Sequence, residues 1–299
     1  MGLRGLLIAV FLWSAPAAQG RDLSIITDIA PVTALAQAVV RDLHAVQQLI
    51  ATPVSPHDFA LKPSDIRRLE QADVILWLGP QATPALAKLM IRPDLQAKSV
   101  DLSAVDGVTK LPLRRSGLFL GQTPRDALDP HLWLDPANGL LWTAAIATVL
   151  SQADAENASA YQANKASAFA GIAAAKTEIS TLLGKQTAPV FVQYHDGFQY
   201  FERAFGLSAT GAATAEDEET TSLGILSGLR AALAATAQSC VFVRDPEQEK
   251  RALPLLEISR VRVGRVDPIG RGLDAGVYTY PALLVSVGQG FAGCFAATD

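Results

Sequence analysis

Between Ala155 and Leu183 the chain is rich in Ala, Lys and Glu, and only Gly171 weakens it as a helix former. A helix over that stretch reaches on the order of 40 Å at about 1.5 Å per residue, more than one small domain needs. The stretch therefore reads as a connecting helix over 153–185, with an N-terminal lobe over 21–152 and a C-terminal lobe over 186–299. On both sides of it short apolar runs alternate with helical segments. In the first half the strands are Leu23–Thr27, Ala45–Ile50, Val74–Leu78 and Ser99–Leu102; in the second they are Val190–Tyr194, Val241–Arg244 and Val261–Val266. Such alternation is the pattern of a mostly parallel sheet covered by helices on both faces. The expected fold is α/β, two lobes of this kind joined by one long backbone helix.

Helix boundaries carry their own signals. Ser64 is the expected N-cap of the helix after Lys62-Pro63, Asp135 and Pro136 form an N-cap and N1 pair, and Gly206 stands as the stop after a helix from Gly197 to Phe205. From Gly107 to Asp129 the periodicity fades into a polar connection punctuated by Pro112, Gly117, Gly121 and Pro124, which reads only as loop. No period indicating repeats is found.

Residues 1–20 read as a secretory signal peptide: Arg4, then the apolar run Leu6–Trp13, then Ala15-Pro16-Ala17. No cysteine lies near that cleavage site to carry a lipid, so the mature protein is expected free in its compartment. A net charge of -4 without any Lys or Arg run gives no footprint for nucleic acid. An exported chain is open to disulfide formation. Cys240 and Cys294, both in the C-terminal part, form either a bridge that ties down the end of the chain or two inert buried thiols.

Of the four histidines, His57, His131 and His195 share one setting, in loops just past a strand or just before a helix N-terminus; His44 sits at a helix-to-strand junction and reads as a surface residue. Two of the three come from the first lobe and one from the second, so a site using all of them lies in the cleft. Neutral imidazoles with one or two carboxylates suit Zn²⁺, and Asp267, again past a strand, is the candidate fourth donor. Taken singly, each histidine also fits a hydrogen-bonding loop residue. The acidic loop Glu216–Glu219 lacks a histidine neighbour and reads as a solvated face.

Four stretches resemble the metal motifs of the ZnuA-type zinc-binding proteins, the solute receptors of ABC zinc importers. They are Ser55-Pro56-His57-Asp58-Phe59 running on to Lys62-Pro63-Ser64-Asp65 and Ala72–Gly79, then Asp129-Pro130-His131-Leu132-Trp133-Leu134-Asp135-Pro136, then Tyr194-His195-Asp196-Gly197-Phe198, and Asp267-Pro268-Ile269-Gly270. The likeness covers essentially the whole mature chain and includes the cysteine pair. It implies two α/β lobes on a long helix, zinc ligation by His57, His131 and His195, and Asp267 in a fourth place that some members fill with water or another carboxylate. Manganese-binding relatives carry a glutamate where this chain has His195, so three imidazoles argue for zinc. Two departures stand out: Pro112–Asp129 holds no histidine where many relatives have a His-rich loop, and Gln81 and Thr83 stand where relatives often have glutamates.

The resemblance implies a periplasmic receptor, monomeric, that captures Zn²⁺ and hands it to an ABC permease in the cytoplasmic membrane, with a zinc-donating metallochaperone as a further candidate partner. The rivals are a manganese or iron receptor or surface adhesin of the same family, and a secreted zinc hydrolase. Against the hydrolase, the chain has no HExxH and no GxSxG.

Overall fold

Two four-stranded parallel sheets organise the computed structural model, which describes residues 22–51, 54–57, 59–119, 127–184, 189–215, 221–257, 261–271, 273 and 279–296. The first contains β1 (Ile25–Thr27), β2 (Val46–Gln48), β3 (Val74–Trp77) and β4 (Ser99–Asp101), in the order β2-β1-β3-β4. Between these strands run α1 (Ala30–Val40), α2 (Pro63–Gln71), and the short α3 (Pro84–Ala87) and α4 (Pro93–Gln96). Every residue of β1 and β3 is buried, as strands covered on both faces require. Then α5 (Pro136–Ala153) and the 27-residue α6 (Ala158–Gly184) lead out of this lobe.

The second sheet contains β5 (Val190–His195), β6 (Gly211–Thr214), β7 (Ser239–Val243) and β8 (Val261–Arg265), in the order β6-β5-β7-β8. Its helices are α7 (Gln199–Phe205), α8 (Leu223–Ala234), α9 (Pro246–Arg251), α10 (Leu253–Leu256) and the terminal α11 (Tyr280–Phe295). In each sheet the chain moves to one side of its first strand and then returns to the other. That reversal opens a crevice at the carboxyl ends of the central strands, where α/β proteins place ligands.

The expected two-sheet fold with one long helix is therefore what forms. Along α6 the buried residues Tyr161, Ile172, Ala175, Ile179 and Leu183 trace one stripe, and the helix packs on α1, α5 and α11. One continuous apolar cluster takes in residues of both sheets, among them Ile75 and Phe191, together with Trp133, Trp142 and Phe291. The 3₁₀ turn Leu132–Leu134 is held from the second half: the Trp133 indole N–H donates to the Pro268 carbonyl (2.6 Å), and the Tyr280 hydroxyl donates to the Trp133 carbonyl (2.7 Å).

Local signals divide. Asp135 caps α5 through the Ala137 N–H, and Gly206 ends α7 with φ 68°, both as expected. For α2 the cap is Lys62 instead of Ser64, because Pro63 takes the first helical position; Asp65 then reaches back to the Lys62 N–H at 3.0 Å. Residues 109–119 and 127–129, read only as loop, make an arm pinned by an antiparallel bridge between Pro112 and Leu128, with Leu113 N–H on the Ala127 carbonyl (3.0 Å) and Asp129 N–H on the Leu111 carbonyl (2.9 Å). The expected signal peptide and the acidic loop Glu216–Glu219 lie outside the described residues, among which no helix is long and apolar enough to cross a membrane.

Cys240 of β7 and Cys294 of α11 form a disulfide, which decides between the two readings of the pair. It closes a loop across a sequence separation of 54 and ties the last helix to the sheet. Loop-closure entropy makes such a bridge worth about 4 kcal/mol at most. The double variant Cys240→Ala, Cys294→Ala is expected to lose about 2–4 kcal/mol in urea unfolding; an unchanged midpoint would show that the bridge adds nothing to the packing of α11.

Candidate metal centre

His195 is the last residue of β5, and His57 follows β2 in the loop beyond that strand's carboxyl end. His131 opens the 3₁₀ turn ahead of α5. The three rings meet in the crevice: His57 and His131 have centroids 5.5 Å apart, and His131 and His195 4.9 Å apart, both edge to face. They line one cavity of about 200 Å³ together with Pro80, Gln81 and Leu113.

Each of two rings is oriented through its Nδ1. His131 Nδ1 donates to Asp129 Oδ1 at 2.8 Å, and the same oxygen accepts the His131 backbone N–H at 2.9 Å. His57 Nδ1 donates to the Ala82 carbonyl at 3.1 Å. Both rings thereby turn their Nε2 lone pair outward, the arrangement in which a histidine ligates metal. His131 Nε2 lies 3.1 Å from His195 Nε2. Two nitrogens bound to one tetrahedral zinc at about 2.05 Å stand about 3.3 Å apart, so a metal ion can replace the proton shared by this pair with little movement. Among the described residues no three donors stand as a finished shell. Gly197 packs so tightly on both rings that a Cβ there would lie 3.1 Å from His195 Nε2 and 3.3 Å from His131 Nε2.

Asp267 is not among the residues lining this cavity. Its carboxylate closes the turn after β8, accepting the Ile269 N–H (3.0 Å) and the Arg271 N–H (2.7 Å). Its neighbour Pro268 holds Trp133, whose ring packs 5.1 Å from His131.

Beneath the imidazoles lies a charge cluster that sequence reading missed. The Arg114 guanidinium binds both carboxylate oxygens of Asp196, bridges Glu202 at 2.8 and 2.9 Å, and stacks 4.1 Å from the Phe119 ring centroid. Glu202 also accepts from Gln193 at 2.5 Å. Burial opposes the charge on Arg114, but its hydrogen bonds to Asp196 and Glu202 outweigh that and raise its pKa. Burial lifts the Asp129 carboxyl to about 6 against the His131 N–H and the Arg114 charge, and lifts Asp196 to about 6 against its bonds to Arg114. In these four groups three carboxylates face one guanidinium, an excess of two negative charges when all are ionised. Such buried excess favours a dication beside it. Only Asp129 had a visible signal, its place two residues before His131; nothing in the aperiodic connection pointed to Arg114.

A scan against family models matches residues 25–293 to the zinc-uptake complex component A, periplasmic. The chain belongs to the ZnuA family. Among curated relatives, the high-affinity zinc uptake system protein ZnuA of Paracoccus denitrificans is 32% identical, over 91% of this chain and 92% of its own. In three dimensions the fold is that of the periplasmic zinc-binding protein TroA of Treponema pallidum (TM-score 0.77, 18% identity, 93% of this chain and all of that one) and of AdcAII of Streptococcus pneumoniae (TM-score 0.76, 23% identity, 92% of this chain and all of that one). Where this family member departs at Gln81, the side chain lines the cavity; Thr83 is fully buried and bonds the Gly79 carbonyl at 3.2 Å.

His44, expected at the surface, is instead a structural residue whose side chain is only 4% exposed. Its Nε2 meets Asp154 Oδ2 at 2.9 Å, and its Nδ1 accepts the Leu23 N–H at 3.2 Å. Burial raises the Asp154 pKa, but hydrogen bonds from Asn157, His44 and Tyr161 overcome it and hold the carboxyl down at about 2. A depressed carboxyl pKa contributes stability that is complete above its unfolded value of about 3.9 and is lost as pH falls through the folded value. Acid unfolding should therefore show a component between about pH 4 and pH 2. Asp154→Asn should lack it; identical acid limbs for the variant and its parent would refute the assignment.

Proposed function

We propose that this chain is a zinc receptor that captures Zn²⁺ in the periplasm and delivers it to the permease of an ABC importer. The observation that carries the reading is the 3.1 Å approach of His131 Nε2 and His195 Nε2, contributed by opposite halves of the chain, with His131 oriented by a buried carboxylate. Zinc is cargo here. His57, His131 and His195 are its ligands, and the fourth place goes to Asp267, if its turn opens toward the crevice, or to water. Three imidazoles against at most one carboxylate favour Zn²⁺ over Mn²⁺, which prefers oxygen donors. The lobes run over 21–152 and 186–299 with 153–185 between them and residues 1–20 as the leader. The protein works as a monomer and as a receptor without catalysis, and in place of a His-rich gathering loop a metallochaperone supplies its metal.

With His57 and His131 from the first half and His195 from the second, the ion clamps the crevice. The packing of α6 on α1, α5 and α11 supports local loop rearrangement over wide closure of the lobes. Binding must displace protons from imidazole, so affinity falls as pH drops through the histidine range.

Competition titration with a chromophoric chelator tests the reading. Zn²⁺ is expected to displace Mn²⁺ stoichiometrically, and Mn²⁺ retained in preference to Zn²⁺ would sink the proposal. Asp129→Ala, which deprives His131 of its orienting acceptor, should weaken zinc binding by roughly 10–100-fold. His131→Ala and His195→Ala should cost more than that, whereas His44→Ala should leave zinc affinity at the parent's value. Equal losses at all four positions would mean that the site is misassigned.

A further inference from the structure

The arm formed by residues 109–119 and 127–129 belongs to the first half of the chain but docks on the second. Leu118 pairs in parallel with Gly211, extending the second sheet beyond β6, and its carbonyl accepts the Ala212 N–H at 3.0 Å. The Leu118 side chain fills the space that a Cβ on Gly211 or Gly228 would occupy, a seat lined also by Leu229. Four residues earlier, Arg114 grips Asp196 and Glu202, its side chain 16% exposed and theirs 5% and 3%. The Tyr200 hydroxyl accepts the Leu111 N–H at 2.9 Å and donates to the Asp129 carbonyl at 3.1 Å. The arm does not merely pass by the crevice: Leu113, Ala127 and Leu128 are part of the wall around the three imidazoles.

From this geometry we infer that the arm is a gate on metal exchange, latched by Arg114 on Asp196 and Glu202 and by Leu118 in its glycine-lined seat. This inference rests on the three-histidine reading of the metal centre. Arg114 is the residue suited to the task. Its planar fork engages two carboxylates at once, one of them directly after His195, while its backbone belongs to the arm. Undocking the arm exposes the cavity; redocking it covers the cavity again. A gate that docks alike over the filled and the empty cavity changes rates and leaves the equilibrium alone, because only a difference in affinity between open and closed forms shifts binding. Weakening the latch should therefore speed zinc uptake and zinc release together. Loss of support for His195 alone would act differently, speeding release and lowering affinity in proportion.

Stopped-flow mixing of the full chain with Zn²⁺, and of zinc-loaded protein with excess chelator, measures both rates. Arg114→Gln is expected to raise association and dissociation each on the order of ten-fold, since it removes one partner of a buried ion cluster, with the ratio of the two changing far less. Leu118→Ala, remote from the charge cluster, should move both rates in the same direction and keeps the test open if Arg114→Gln does not fold by circular dichroism. Rates equal to the parent's in a folded variant, or a faster release with unchanged uptake, would overturn the gate. His131→Ala serves as the reference. If it loses zinc while the latch variants exchange at the parent's rate, the gate fails and the metal centre stands; if it keeps zinc like the parent, both fall.

Discussion

The turn Leu132–Leu134 is the constraint on which the geometry of the crevice depends. Its Trp133 is only 1% exposed, donates its indole N–H to Pro268 beyond β8, and receives the Tyr280 hydroxyl from the start of α11 on its carbonyl. A buried carbonyl or indole left without its partner costs about 1–3 kcal/mol, so three separate segments are held at one point with little freedom. His131 stands immediately before this turn. Its imidazole reaches the second lobe because Trp133 anchors the turn to that lobe, and only then does His195, delivered by the end of β5, find a nitrogen 3.1 Å away. The long helix α6 acts at larger scale in the same sense, packing against α1 and α5 from the first half and α11 from the second.

Electrostatics then decide what the crevice can hold. Carboxylates are rarely buried without compensation, yet Asp129, Asp196 and Glu202 are each less than 5% exposed with one guanidinium among them. The raised Asp129 and Asp196 pKa values register the cost of that arrangement in the absence of further positive charge. Neutral imidazoles above the cluster bring no charge of their own but offer lone pairs. A divalent cation satisfies both needs at once, and the donor set of nitrogens favours a borderline ion over a hard one.

Much of this was legible in the sequence, and the reasons are local. Strand runs such as Val74-Ile75-Leu76-Trp77 bury both faces and so show no alternation, and the helix stop at Gly206 needs the positive φ that glycine supplies freely. His57, His131 and His195 stood out through the motifs around them. What stayed hidden depends on partners far away in the chain. His44 looks like a junction residue until Asp154, 110 positions later, meets its Nε2. Arg114 lies in a stretch without period, and its carboxylates follow 82 and 88 residues on. Asp267 shows the reverse case: its motif announces a ligand, and its oxygens accept the Ile269 and Arg271 N–H groups of its own turn.

Arg114 and Asp129 together show how a crevice can be both selective and reversible. Asp129 orients His131 from two residues away, and its carbonyl is tied to Tyr200 at the foot of the arm, so that residues 109–119 can move while His131 keeps its orientation. Arg114 acts from the arm onto carboxylates of the opposite lobe, so its contacts exist only when the crevice is covered. Affinity and access are thus assigned to different groups. A receptor that must bind tightly and still surrender its ion gains from that separation, because a docking partner that pulls the arm away can open the site without first dismantling the ligand set.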